Sequence, residues 1–268
     1  MGKLDHPRLR FDPFPETKWG VDDRPVLIVD GKVYRIKTLT HRVSGAAGYV
    51  VGVSDKEFPK LANLLDVELL QFYELRVSDL TPLSKINRLR HLTVRWNTKL
   101  TDLREIGRLS NLESLLLIDT PKVRDLSPLQ NLVELRALEY SGGIWNRNVA
   151  TTLEPISQLK KLEELELTNL RVEDGGLRPL AKCQNLQALG VSNQFDTEDY
   201  AFLSVVLPQV KCRAFAPWVA VNHTNGIDTM IVGKRKPFLN SKTDAQKIAN
   251  YEAAFRKLQD RFAARLHT

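Results

Sequence analysis

From Leu80 onward an apolar side chain stands at every third position, and each run then closes on an alternating triplet. The first unit is Leu80, Leu83, Ile86, Leu89, Leu92, Val94, and the second is Leu103, Ile106, Leu109, Leu112, Leu115, Leu117. The third is Leu126, Leu129, Leu132, Leu135, Leu138, Tyr140, and the fourth is Leu153, Ile156, Leu159, Leu162, Leu165, Leu167. The fifth runs Leu177, Leu180, Cys183, Leu186, Leu189, Val191. Equivalent leucines at positions 89, 112, 135, 162 and 186 are 23, 23, 27 and 24 residues apart. Weaker copies flank the array at Val67, Leu70, Phe72 and at Val210.

Two periods share each unit. The closing pair alternates, which predicts a short strand with one face turned into a core. The residues three apart suit a short helix or 3₁₀ turn whose inner edge meets that same core. One such unit cannot bury its apolar face alone. Stacked units share a continuous core, each touching only its neighbours, and both open ends then need covers.

The pattern resembles the L-x-x-L-x-L-x-x-N/C-x-L unit of the leucine-rich repeat superfamily. The short periods, with Asp79-Leu80-Thr81-Pro82-Leu83 and Asp125-Leu126-Ser127-Pro128-Leu129, are similar to the internalin and protein-phosphatase-regulator class. The resemblance covers residues 61–216 and implies an α/β horseshoe with parallel strands on its concave face. Only Asn97 fills the usual asparagine slot; Thr120 and Leu170 stand in others.

Residues 1–60 read as an amino-terminal cap. Segments 25–29 and 32–36, joined by Asp30-Gly31, predict a hairpin, and 49–53 is a third strand candidate. Ser54 with Glu57 is a capping-box signature opening a short helix toward Leu64. Residues 217–268 read as the second cap. A strand over 228–232 leads to a helix over 244–266, with Ile248, Tyr251, Phe255, Leu258 and Phe262 on one face.

The 268-residue chain is 43% hydrophobic and 26% charged, an ordinary globular balance. Its net charge of +7 is unevenly spread. Residues 1–60 carry +3 and 217–268 carry +5, while the array itself is at −1. No apolar run is long enough for a transmembrane helix. The opening MGKLDHPRLR lacks a secretory h-region, and His6 stands where a myristoylation signal wants Ser or Thr. Two cysteines make no disulfide scaffold, so a reducing, cytoplasmic compartment is expected.

The stretch of period 27 carries an insertion, residues 141–149, with Trp145 and Arg147 in a glycine-containing loop. Insertions of this kind map to one edge of a solenoid, often the binding edge, and Trp and Arg are frequent interface anchors. A bland alternative has Ile144 and Trp145 folding back over the adjacent turn. On the strands, the residues between the inward leucines face the concave surface. The early turns place Leu69, Tyr73, His91, Arg95, Trp96, Leu116 and Ile118 there, more apolar than a solvated face requires. The middle turns place Glu139, Glu164 and Glu166 there. An external partner on this face, or a terminal segment laid across it, both fit.

Catalytic chemistry finds little purchase. The five histidines are scattered without metal-ligand spacing. Cys183 sits in an apolar slot, Cys212 alternates with Val210 and Ala214 on a last strand, and buried thiols are usually inert. Gly45-Ala46-Ala47-Gly48 lacks a nucleotide-binding form, and Asn222-His223-Thr224 is a sequon that matters only in a secreted chain. No catalytic residue, cofactor or metal is therefore expected, and no membrane contact. Lys234, Arg235 and Lys236, with cations of the last helix, offer a nucleic-acid alternative through phosphate contacts.

The expected function is a non-enzymatic protein–protein interaction module, acting through the concave face and the 141–149 loop. That class admits an adaptor, a regulator, an effector or an immunity-type inhibitor. Either Arg95→Glu or Trp96→Ala should weaken capture of the partner in a pull-down while the far-UV circular dichroism stays that of the native chain.

Overall fold

The computed structural model describes residues 25–222 and 226–266. Within them the alternating triplets do form strands, and the strands stack in register. The elements are β1 (Val26–Val29), β2 (Lys32–Arg35), β3 (Val43–Val51), α1 (Phe58–Leu64), β4 (Leu65–Tyr73), β5 (His91–Arg95), β6 (Ser114–Ile118) and β7 (Ala137–Ser141). They continue as β8 (Asn148–Ala150), β9 (Glu164–Leu167), β10 (Leu170–Val172), β11 (Ala188–Val191) and α2 (Thr197–Val206). The last are β12 (Trp218–Ala220), β13 (Thr229–Ile231), β14 (Phe238–Leu239) and α3 (Ala245–Leu266).

One nine-stranded sheet runs in the order β11-β9-β7-β6-β5-β4-β3-β1-β2. From β3 to β11 all neighbours are parallel, and the register lines up one leucine of every turn: Leu70, Leu92, Leu115, Leu138, Leu165 and Leu189. All six are fully buried. The leucines spaced by threes lie on the opposite side in short 3₁₀ turns, including Thr81–Lys85, Ser127–Asn131 and Arg178–Lys182. The chain is thus a leucine-rich repeat solenoid.

The Asp-Leu-Ser/Thr-Pro-Leu segments show why they recur. Asp79 accepts hydrogen bonds from the Thr81 amide at 2.8 Å and its hydroxyl at 2.6 Å, and Asp125 accepts from the Ser127 amide at 2.8 Å. Each aspartate satisfies the donor that opens the 3₁₀ turn, and the proline that follows has no N–H to satisfy.

At one end the β1–β2 hairpin forms across Asp30-Gly31 as expected, with Val29 opposite Lys32. Only half of the expected Ser54–Glu57 capping box forms: the Glu57 carboxylate accepts from the Ser54 amide at 3.2 Å, but the Ser54 hydroxyl donates to that same carboxylate, and α1 starts at Phe58 with Glu57 at its N-cap. The third strand starts earlier than 49 and ends at 51. Its leading half contains Gly45-Ala46-Ala47-Gly48, far too small to read as a repeat. The Asp30 carboxylate accepts from the amides of Ala46 and Ala47 at 3.1 and 3.0 Å and holds this glycine-rich stretch against the hairpin turn. The parallel ladder therefore begins at Val43, inside the segment that the sequence suggests as a cap.

At the other end α2 replaces a 3₁₀ turn, and α3 packs on it through Phe202 and Phe262, whose rings meet edge to face at 5.4 Å. The Arg178 guanidinium lies over both rings at 4.7 and 5.1 Å. The antiparallel β12-β13-β14 sheet joins α3 through a bond from the Trp218 indole to Glu252 at 2.7 Å. The strand expected through Cys212 is absent: only an isolated bridge of Ala188 with Lys211 marks that position. There α2 has already taken over the covering role, so a further strand has no turn behind it to complete.

The asparagine slot is filled where it exists. Asn97 donates to the Val77 carbonyl at 3.0 Å and accepts from the amides of Lys99 and Leu100. In the next turn the inserted loop brings in a substitute from 28 residues away: Asn148 accepts from the Thr120 amide at 3.2 Å and donates to the Ser141 carbonyl at 2.9 Å. Asn148 is fully buried. Asn148→Ala strands buried backbone groups of two turns, and should lower the urea midpoint by the equivalent of about 1–3 kcal/mol with an unchanged m-value.

Candidate functional site

Stacking in register turns the strand residues between the core leucines into three rows across the concave face. One row is Leu69, His91, Ser114, Ala137, Glu164 and Ala188. The middle row is Gln71, Thr93, Leu116, Glu139, Glu166 and Gly190. The third, at the ends of the strands, is Tyr73, Arg95, Ile118 and Ser141, and Thr168 joins it by donating to the Ser141 hydroxyl at 3.0 Å. The rows run from apolar to acidic along the solenoid.

The middle row is not a solvated surface. Leu116, Gln71, Thr93 and Glu139 are each only 2% exposed, and Glu166 is 3% exposed. Glu164, in the row beside it, is also buried. Leu69, Tyr73, His91, Arg95 and Ile118 are half-buried. Burial holds His91 below its ordinary imidazole pKa, against the opposing pull of Glu113 and Glu68, so its neutral form is favoured. Beyond Glu166 the face opens again. A cavity of about 550 Å³ lies over Gly190, with Glu166, Asn169, Arg147 and Arg213 among its lining residues. A side chain at Gly190 would run into the Glu166 carboxylate. Arg213 and Asn169 escape sequence reasoning, because neither holds a strand position of the repeat.

Immediately after the strands the chain turns out of the sheet through left-handed residues: Glu74, Trp96, Asp119 and Asn169 have φ of 57°, 57°, 55° and 45°. Asparagine and aspartate tolerate this region, whereas a bulky aromatic there is an outlier. Trp96 keeps it nonetheless. Its amide donates to the Ile118 carbonyl at 2.9 Å, continuing the ladder by one residue. The indole stands 43% exposed and packs edge to face on Tyr73 at 5.8 Å.

The inserted loop follows β7 on the same edge, and its backbone is fixed. The Gly142 amide donates to the Thr168 carbonyl at 2.9 Å, and the Asn146 side chain donates to Asp119 at 3.0 Å. The Asn169 side chain donates to the carbonyls of Gly143 and Asn146 at 2.8 and 3.1 Å. With both flanks pinned, the tip cannot fold back: Ile144 and Trp145 are each 89% exposed. Arg147 is also exposed and reaches toward Asn169 at 3.5 Å. Trp96 and Trp145 therefore belong to one edge of the sheet, while Glu139, Glu164 and Glu166 lie below it in the closed part of the face.

Burial raises the thiol of Cys183 to about 11 and that of Cys212 to about 12, so neither is a thiolate at neutral pH. Among the described residues no cluster of His, Cys, Asp or Glu could hold a metal, and no helix is long and apolar enough to cross a membrane. Lys234, Arg235 and Lys236 are exposed, but Lys236 stands over the Tyr251 ring at 5.4 Å. Arg261 is paired with Glu198 at 2.6 Å and Lys247 with Asp244 at 2.8 Å. His223 and Thr224 of the sequon, together with His6 and His267, lie outside the described residues.

Among solved structures the chain is similar to internalin C2 of Listeria monocytogenes, at 25% identity over 62% of this chain and 68% of that one, with a TM-score of 0.47. It is also similar to internalin F of the same organism, at 18% identity over 68% and 62% of the two chains, with a TM-score of 0.42. A leucine-rich repeat protein of Leptospira interrogans matches at 24% identity over 60% and 39%, with a TM-score of 0.45. The match thus spans less than two thirds of the length of the latter two. No protein-family model and no curated protein matches the sequence.

Gly143 is the hinge on which the loop geometry rests, since a Cβ there would lie 2.4 Å from the Asp119 carboxyl carbon. Gly143→Ala should cost about 1–3 kcal/mol in chemical denaturation. It should also raise hydrogen exchange across 142–147 while leaving β5 and β6 protected.

Proposed function

We propose that this protein is a non-enzymatic protein-binding module whose contact surface is the concave face together with the edge formed by Trp96 and the 141–149 loop. The observation that carries this reading is the loop tip. A backbone fixed by Asp119, Asn146, Thr168 and Asn169 presents two adjacent large apolar side chains almost wholly to water. Burying either against the repeats would relieve that exposure, and the hydrogen bonds prevent it. Exposed aromatic and aliphatic side chains on a rigid support are the anchors that protein interfaces use, because little conformational entropy is lost when they dock.

Trp96 adds a second anchor on the same edge. Its left-handed backbone would be more easily served by asparagine or glycine, so a tryptophan there is retained at some cost in local strain. Ile118 lies between the two anchors, with Arg95 beside Trp96 and Tyr73 on its far side, an amphipathic strip suited to a partner segment that is apolar at its centre and polar at its margins. The open cavity over Gly190, rimmed by Arg147 and Arg213, extends that strip toward the carboxy-terminal end. The adaptor, regulator, effector and immunity-type roles share this mechanism and differ only in the partner.

Two variants test the reading without disturbing the core. Ile144→Ser/Trp145→Ala should weaken capture of the native partner by about thirtyfold, a loss typical of an interface anchor. Trp96→Asn should weaken it comparably while leaving the melting temperature unchanged or slightly raised, because asparagine accepts the left-handed backbone. Full retention of the partner by both variants would overturn the proposal.

A further inference from the structure

Much of the positive charge of this protein is paired where it stands: Arg90 with Glu113, Arg124 with Glu173, Lys161 with Glu134 and Lys182 with Glu154. At the carboxy-terminal end of the strand-end edge the pattern changes. Arg147, Arg213, Lys234, Arg235 and Lys236 are all exposed, and among the described residues none of them pairs with an acid. The contacts they make are to neutral groups. Arg213 donates to the Ala220 carbonyl at 3.0 Å, Arg147 reaches the Asn169 side chain at 3.5 Å and Lys236 stands over the Tyr251 ring at 5.4 Å.

The edge itself gathers these five. Arg147 and Arg213 line the cavity over Gly190, and so does Asn193. The Asn193 side chain accepts from the Gly233 amide at 2.6 Å and donates to the Ile231 carbonyl at 2.8 Å. The Lys234 amide donates to the Phe195 carbonyl at 2.7 Å. The 233–236 turn is thereby hung on the wall of the cavity. Asn193 follows β11, two strand spacings from β7 and its inserted loop, or about 10 Å. Arg235 holds a φ of 60°, a conformation that glycine or asparagine would enter more easily. Acids are scarce in this stretch: Asp119 is taken by Asn146, Glu166 is buried against Gly190, and Asp196 is exposed. Like charges crowded on a fixed backbone repel one another until a counter-charge arrives.

We infer that this end of the edge receives an acidic peptide segment, with carboxylates on Arg147, Arg213 and the 233–236 turn and an uncharged side chain in the cavity between them. The inference rests on the protein-binding reading above and names the chemistry of the partner.

Three features set that chemistry. The cations call for an anion, and a partner of opposite sign is both steered to them and held by them. The cavity lies beside the Glu166 carboxyl group, so a second carboxylate stays at the rim, while Leu189, Val191, Cys212 and Ala214 in the lining suit an apolar side chain. The amides that could read a nucleobase are already spent: Asn169 on the carbonyls of Gly143 and Asn146, and Asn193 on Gly233 and Ile231. At the loop tip only Trp145 offers a face for a base to stack on, since its neighbour Ile144 is aliphatic. Both side chains fit a peptide in which apolar residues alternate with acids.

The experiment is fluorescence anisotropy of the full chain with a labelled peptide of repeated Glu-Glu-Leu, against a Lys-Lys-Leu peptide and an oligouridylate. The acidic peptide should bind saturably, more tightly than either control, and more weakly as salt rises. Arg147→Glu/Lys234→Glu should weaken that binding at least about tenfold. Lys161→Glu/Lys182→Glu makes the same change in net charge away from the edge and should shift it by less than about twofold. Arg235→Gly separates contact from folding: it should weaken binding by about threefold while the melting temperature stays or rises, because glycine accepts the left-handed backbone. Absence of binding would overturn the inference, as would an equal loss in both charge-reversal variants, which would mark a response to net charge alone. Tighter binding of the oligouridylate, lost in Arg147→Glu/Lys234→Glu, would overturn it in favour of a nucleic-acid surface. The two claims fail separately. Retention of the native partner by the tip and Trp96 variants rejects the reading above with the peptide site intact, whereas loss of that partner without peptide binding rejects this inference alone.

Discussion

Each turn of this protein carries a comb of leucines with one apolar side and too few residues to bury it. That deficit is the constraint on which everything else rests. It is met only when the next turn arrives in register, placing leucine on leucine at Leu70, Leu92, Leu115, Leu138, Leu165 and Leu189. Register in turn dictates parallel strands, a compact 3₁₀ return on the back and a chain that must leave the sheet sharply after each strand. The two ends inherit the same deficit. One is met by α2 and α3, the other by a glycine-rich strand and a hairpin whose aspartate binds the strand's own amides.

The ladder also creates the concave face. Residues about 23 positions apart become neighbours roughly 4.8 Å apart, so a slow drift in composition along the sequence becomes a gradient across a surface. Here the gradient runs from Leu69 and Leu116 to Glu139 and Glu166. The edge obeys a different rule. β4, β5, β6 and β9 are each followed within two residues by a left-handed residue, and the positions after the strands project clear of the sheet. Trp96 uses that projection directly, and the 141–149 loop elaborates it. The loop serves both sides of the protein: Asn148 repairs the turn that Thr120 leaves without its asparagine, while Ile144 and Trp145 stand in solvent.

Much of this is legible before any coordinates. The repeat, the hairpin at Asp30-Gly31 and the amphipathic α3 are all local patterns, and these local patterns survive translation into structure. The early start of β3 is not legible, because Gly45-Ala46-Ala47-Gly48 pairs with a distant strand and has no leucine to announce it. Nor is the fate of the candidate residues. Glu139, Glu164 and Glu166 read as charges on a surface, yet all three are buried. Trp145 reads as anchor or as cover, and the bonds from Asn146 and Asn169 hold it exposed rather than folded back over the adjacent turn.

The sequence by itself determined the solenoid, the register of its central turns and which residues line each face there, because periodicity alone says which side chains must be shared between neighbouring units. The tertiary structure decided which of those faces is open. Accessibility depends on groups brought together from far apart in the chain, such as Asp119 with Asn146, or Asn169 with Gly143. No periodic pattern encodes such pairings, and they determine whether a hydrophobic residue on this fold is part of its core or exposed to solvent.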